Sequence, residues 1–290
     1  MTAFTSATAP LTVAPIRVKI GADSAAVALT IAGSDSGGGA GIQADIKSFS
    51  ALGVYATSVI TALTAQNTLA VTDIHEVPEH NIAAQLAAVF ADIRVDAVKI
   101  GMLSSAGIIA TVADGLRHYK GPVILDPVMV AKSGDMLLRS EALNALRKQL
   151  LPMATLLTPN LPEAAILLNQ PSATTVAEAE RQGRALLDFG VKAVLMKGGH
   201  FAHPDCTDLL IVADQPTQHF NASRIATRNT HGTGCTFSAS IAACMARGMD
   251  LASAVETAKA YLHQAIVQAD ELNIGTGHGP VHHFHNLWVS

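Results

Sequence analysis

Cysteine is scarce in this chain: three residues at positions 206, 235 and 244 of 290. They are too widely spaced to read as a disulfide framework, and a reducing cytoplasm is the expected compartment. Charge is scarce too, since Asp, Glu, Lys and Arg make up 14% of residues and the net charge is −4. That leaves no basic footprint for nucleic acid. No apolar run approaches the roughly 20 residues that cross a bilayer, so a membrane is not an expected partner either. Residues 1–24 are rich in Ala, Thr and Pro, without amphipathic period, and read as a disordered leader. They lack the apolar centre of a signal peptide, and Arg17 and Lys19, the only charges before Asp23, make a poor transit peptide.

Two further absences narrow the chemistry. No Walker A sequence occurs, so a phosphate cradle here has to be of another type. Gly39-Ala40-Gly41-Ile42-Gln43-Ala44 fits a loose dinucleotide fingerprint between strand and helix, but no acidic residue lies between Asp45 and Asp73 to hold a ribose. A nicotinamide oxidoreductase is thereby disfavoured.

What is present is alternation. An apolar run over 26–32 is followed by a glycine loop and then by Ile42, Ile46, Phe49 and Leu52 at helical spacing. Further strands are expected over 54–63, 97–100, 123–126, 155–158 and 193–196, with helices between them and a hairpin over 209–225. Such alternation predicts an α/β fold with a mostly parallel central sheet in one domain over 25–290, with ligands at the carboxyl ends of the strands. Gln66, Met102, Asp126, Asn160, Glu163 and Lys197 all fall at or just past such ends.

The stretch Asn229-Thr-His-Gly-Thr-Gly-Cys-Thr-Phe-Ser238 puts a glycine turn directly before an apolar-periodic helix. The first N–H groups of that helix, at Gly232, Thr233, Gly234 and Cys235, should converge on an anion, and the same field should depress the pKa of Cys235. A plain glycine turn with a small packed cysteine fits the local sequence equally. Asp126 and Glu163 are hard oxygen ligands of the kind Mg²⁺ prefers, or else a strand end and a helix start. Lys197 before two glycines could reach a phosphate or lie solvated in a turn. Gln66 offers a donor and an acceptor to a heterocycle edge. Asp45, beside the apolar stripe of the first helix, would cap a partner or face the ligand. His200, His203, Cys206 and the tail histidines His282, His283 and His285 have spacings zinc could use, but read better as exposed loop and tail.

Together, Ala32 to Asp45, Ala65-Gln-Asn-Thr68, Lys99-Ile-Gly-Met-Leu103, Asp126-Pro-Val-Met129, Thr158-Pro-Asn-Leu-Pro-Glu-Ala164, Met196-Lys-Gly-Gly-His200 and Asn229 to Thr236 resemble the hydroxymethylpyrimidine/phosphomethylpyrimidine kinases of the ribokinase-like superfamily. The resemblance implies a three-layer αβα sandwich, and ATP- and Mg²⁺-dependent phosphorylation of 4-amino-5-hydroxymethyl-2-methylpyrimidine and of its monophosphate. It makes Cys235 the base, where many relatives carry Asp, and Gly232, Thr233, Gly234 and Cys235 the anion hole. Gly33, Asp45, Gln66, Met102 and Val128 would surround the pyrimidine, with Thr64 more polar than its usual counterpart. Asn160, Glu163 and Lys197 would serve nucleotide and metal, Asp126 the metal, and Lys132 to Asp135 a lid. A homodimer is implied as well. Pyridoxal kinase is the neighbouring alternative, against which Ala-Gln-Asn-Thr favours the pyrimidine.

Overall fold

The computed structural model describes residues 25–129, 140–199 and 205–288. The leader, the expected lid with Lys132, and both His200 and His203 lie outside these residues.

Among the described residues one sheet holds nine strands in the order β3-β2-β1-β4-β5-β6-β7-β8-β9. Its parallel body comprises β1 (Val27–Asp35), β2 (Tyr55–Gln66), β4 (Ala97–Ile100), β5 (Val123–Leu125), β6 (Leu156–Leu157) and β7 (Ala193–Met196). Antiparallel strands finish both edges: β3 (Val71–Glu76) on one side, β8 (Asp205–Val212) and β9 (Gln218–Ser223) on the other. The β8–β9 hairpin matches expectation. The β3 strand does not, because its side chains are mostly exposed and show no apolar alternation.

Helices α2 (Glu79–Asp92), α3 (Ala106–Leu116), α4 (Ser140–Ala145, continuing as a π-helical turn Leu146–Leu150), α5 (Leu161–Leu168) and α6 (Val176–Leu187) pack one face of the sheet. The opposite face carries α1 (Gly41–Ala51), α7 (Thr233–Ala246) and α8 (Leu251–Val267). This is the three-layer αβα sandwich. Helix boundaries follow local chemistry: Asn160 and Thr175 open α5 and α6 with capping boxes closed by Glu163 and Glu178.

Period-two alternation sorts the strand residues between two cores. Val98 and Ile100, Val123 and Leu125, Leu157, and Val194 and Met196 join the core under α2 to α6. Their neighbours Ala97, Ile124, Leu156, Ala193 and Leu195 join the core under α1, α7 and α8. Continuing that count assigns Lys99, Asp126 and Lys197 to the α7 face. Three charged side chains thus meet the start of one helix.

The tail departs from expectation. His282, His283 and His285 are buried. His283 lies 3.0 Å from the Thr236 hydroxyl, while the Tyr261 hydroxyl donates to the His283 carbonyl at 2.6 Å. Burial, with neighbouring cations adding, pushes the His283 imidazole down to about 3. A neutral ring that bonds a helix hydroxyl is a packing element, so the exposed-tail reading is corrected.

Candidate active site

The loop after β1 is organised by a residue whose part was not anticipated. Asp35 is buried and its carboxylate accepts the backbone N–H groups of Gly37, Gly39 and Ala40 at 2.8–3.0 Å. Burial alone would raise its pKa, but these bonds and the nearby His231 hold the carboxyl below the usual range. His231 Nε2 stands 2.9 Å from Asp35 Oδ2, joining this loop to the turn before α7.

That turn needs its glycine. Gly232 has φ of 78°, and a Cβ there would lie 1.8 Å from the Gly39 carbonyl oxygen. The N-terminus of α7 has no side-chain cap. The Thr233 N–H makes a long bond to Thr230, 3.4 Å, and Thr236 begins the helical ladder at Gly232. The amides of Gly234 and Cys235 make no hydrogen bond among the described residues, so two donors at the positive end of a helix stay available. A Cβ on Gly234 would lie 3.5 Å from Lys197 Nζ and 3.6 Å from Asp126 Oδ2, which places this terminus against the charged strand ends.

Asp126 and Lys197 form the tightest of those pairs, 2.7 Å apart, with the Thr158 hydroxyl donating to the same carboxylate oxygen. Burial opposes ionisation of Asp126, yet Lys197 and Lys99 hold its carboxyl below the usual range. Glu163 sits 3.7 Å from Lys197 and already accepts the Asn160 N–H. Burial pushes its carboxyl up to about 7, the Asp126 charge adding and Lys197 opposing. Two hard oxygen donors flanking a lysine suit a divalent cation that keeps water and phosphate oxygens in its remaining positions. Among the described residues no group of three or more His, Cys, Asp or Glu gathers into a closed metal cage.

Lys99, which opens one of the family-like motifs, has a role that the motif alone does not indicate. It is fully buried and bonds Asp45 at 2.8 Å, while Asp45 also accepts from the Thr30 hydroxyl at 2.6 Å. Gly101 makes room for the ammonium, since a Cβ there would lie 2.8 Å from Nζ. A charged residue within a core strand was the signal that could have found it.

A cavity of about 800 Å³ collects the rest. Gly33, Gln66, Met102, Val128, Asp126, Asn160, Glu163, Lys197, Gly232, Thr233, Gly234 and Cys235 line it, as do Asp35, Lys99 and His231. Met102 lies over Gly33, where a Cβ would meet its methyl carbon at 2.7 Å. Two expectations need correction. Asp45 is fully enclosed and does not line the cavity, because the inward face of α1 aims its carboxylate at Lys99 and Thr30. Cys235 has no depressed pKa: burial pushes its thiol up to about 11, Asp45 and Asp126 adding and Lys99 opposing. Desolvation of a thiolate here outweighs the helix field.

The phosphomethylpyrimidine kinase family profile matches residues 35–282. The hydroxymethylpyrimidine/phosphomethylpyrimidine kinase of Rhizobium meliloti is 56% identical over 91% of this chain and 98% of its own length. Among solved structures, a phosphomethylpyrimidine kinase from Clostridium difficile 630 is 42% identical, with a TM-score of 0.74 over 83% of this chain and 99% of that one. The pyridoxal kinase of Bacillus subtilis, solved as an ADP complex, is 36% identical with a TM-score of 0.83 over 90% of this chain and 98% of that one. The higher identities, over nearly whole chains, fall on the pyrimidine side of this group. By sequence and by fold, the chain belongs to the phosphomethylpyrimidine kinase family.

Proposed function

We propose that the chain transfers the terminal phosphoryl group of ATP to the hydroxymethyl group of 4-amino-5-hydroxymethyl-2-methylpyrimidine, and then to the resulting monophosphate, within thiamine biosynthesis. One observation carries the reading: the start of α7, with two amides that make no hydrogen bond among the described residues, abuts the Lys197–Asp126 pair in the wall of one cavity. Phosphoryl transfer through a loose transition state needs positioning and charge neutralisation more than covalent chemistry. The amides of Gly234 and Cys235 and the Lys197 ammonium would supply both.

In this reading Gly33, Met102 and Val128 wall the ring and Gln66 reads its edge. Because the Cys235 thiol is held up to about 11, it begins protonated. A neutral thiol cannot take a second proton, so Cys235 would first release its own proton to solvent, and the resulting thiolate would take the substrate hydroxyl proton as the oxygen–phosphorus bond forms. Asn160 orients Glu163 through their reciprocal cap, and Asp126 and Glu163 would hold Mg²⁺. That ion supplies charge neutralisation on the nucleotide phosphates when bound. Lys132 is proposed for the nucleotide on the resemblance alone.

Self-association is also proposed. Leu63, Leu69 and Ile74 on the β2–β3 hairpin are large apolar side chains left exposed, and sedimentation would show whether they are covered by a second copy. The described helices include none long and apolar enough to cross a membrane. A cytoplasmic location is proposed with the three free thiols as support.

An ADP-release assay with the pyrimidine, its monophosphate and pyridoxal decides the substrate. Turnover of both pyrimidines above pyridoxal supports the proposal, and faster turnover of pyridoxal overturns it.

A further inference from the structure

The polar wall around Gln66 obeys a strict hydrogen-bond arithmetic. The His231 Nε2 atom lies 2.9 Å from Asp35 Oδ2 and 3.3 Å from the terminal nitrogen of Gln66. Asp35 already accepts three backbone N–H groups, so it is an ionised acceptor, and His231 Nε2 must carry a proton. On the other side of the amide, the Thr64 hydroxyl donates to the Ser34 carbonyl at 2.9 Å and lies 3.2 Å from the Gln66 carboxamide oxygen. The hydroxyl proton is directed at the shorter contact, the Ser34 carbonyl, which leaves the Gln66 oxygen facing a hydroxyl lone pair.

With the amide set that way, N–H meets N–H at His231 and lone pair meets lone pair at Thr64. Half a turn about the last side-chain bond removes both conflicts. The His231 N–H then reaches the Gln66 oxygen as well as Asp35, and the Gln66 nitrogen donates to Thr64. The imidazole itself is held in place. His231 N donates to the Gly279 carbonyl at 3.0 Å, and a Cβ on Gly39 would lie 2.4 Å from the ring's Cδ2.

We propose that His231, oriented by Asp35, is a positioning residue that fixes the Gln66 amide with its oxygen on the His231 side, so that the site accepts an amino-heterocycle edge and rejects an oxo one. The proposal rests on the pyrimidine reading above. One lone pair and one N–H of Gln66 remain for the ligand, the acceptor beside His231 and the donor beside Thr64. In the substrate the exocyclic amine is on the carbon next to the one bearing the hydroxymethyl group. In this proposal the hydroxymethyl group is directed at Cys235, with the amine on the acceptor side and the ring nitrogen on the donor side. A pyrimidin-4-one reverses both polarities. It could be met only by turning the amide back against His231 and Thr64.

The test compares kcat/KM for 4-amino-5-hydroxymethyl-2-methylpyrimidine and for 5-hydroxymethyl-2-methylpyrimidin-4-one, in the wild-type protein and in His231→Leu and Thr64→Val. ADP affinity serves as the check on folding. A site that leaves buried polar groups mispaired rejects the wrong ligand strongly, so a wild-type preference of at least about 10²-fold is expected, carried mainly in KM. Both variants should compress that ratio to within about tenfold while still binding ADP, the amide now being free to turn. A wild-type protein that uses both rings equally overturns the inference, and so does a His231→Leu protein that binds ADP and keeps the full preference. Should His231→Leu fail to bind ADP, Thr64→Val decides by the same ratio. Turnover of neither pyrimidine by the wild-type protein would instead sink the kinase reading, and this inference with it.

Discussion

Gly232 stands against Gly39 so closely that their two loops form a single wall: a methyl group on the first would lie 1.8 Å from the carbonyl oxygen of the second. Gly232→Ala must therefore part the loops and also force a side-chain-bearing residue into φ of 78°. The backbone term alone costs about 1–2 kcal/mol. We expect a melting temperature several degrees lower and a fall in kcat of at least about 10²-fold, read by calorimetry and steady-state kinetics. Wild-type turnover in this variant would show that the wall is not needed for transfer.

Cys235→Ala should lower kcat by about 10²-fold or more with nucleotide affinity kept, because the sulfur contributes to the reacting oxygen and not to nucleotide binding. The thiol's position near 11 gives a second readout. Iodoacetamide labelling of Cys235 should be slow at neutral pH and rise about tenfold per pH unit, levelling only near pH 11. Labelling that levels off below pH 8 would restore the low-pKa thiol expected from the helix start.

For Glu163 the sign follows from a folded carboxyl near 7 against an ordinary value of 4.5. The folded state holds this proton more tightly than the unfolded chain, so its contribution to stability is fully present below about pH 4.5 and is lost as pH climbs through about 7. The loss is on the order of 3 kcal/mol. Glu163→Gln keeps an oxygen for the Asn160 N–H but has nothing to titrate. The difference in unfolding free energy between the two proteins, measured by urea titration without metal, should therefore shift in favour of Glu163→Gln between pH 5 and 8. A difference independent of pH would place the carboxyl at its ordinary value.

Lys99→Met leaves Asp45 fully buried without its cation, a change that costs about 3–5 kcal/mol. Removing both charges, as in Lys99→Met with Asp45→Asn, should restore most of that loss. Equal destabilisation in the single and double variants, by chemical denaturation, would refute the pairing.

Much of this architecture could be read before any coordinates. The strands β4 and β7 fall where short apolar runs end in functional residues, and the caps at Asn160 and Thr175 obey local rules. Strand ends also gathered Gln66, Asp126, Asn160, Glu163 and Lys197 correctly at one cavity. What escaped depended on register or on depth. The partner of Asp45 is 54 residues away, and only the pairing of β1 with β4 brings them together. His231 and Asp35 are separated by 196 positions, so their bond has no local trace. The Cys235 titration was misjudged because a helix end can be seen in a sequence and desolvation cannot. β3 was missed since an edge strand with a wet face carries little apolar pattern.

The last turns of the chain do more than cover α7. His278 N donates to the Thr68 carbonyl and Gly277 N to the Thr68 hydroxyl, while Gly279 accepts from His231 and donates to Asn229. Residues 277–279 thereby tie the β2–β3 turn to the turn that leads into α7, and they are made after everything they fasten. On the ribosome, a polypeptide halted before Gly277 would hold Cys235, Lys197 and both carboxylates, yet not the latch that sets them. Catalytic competence would then wait until residues 277–279 had been made, which release of nascent chains stalled before and after them into an ADP-release assay would time.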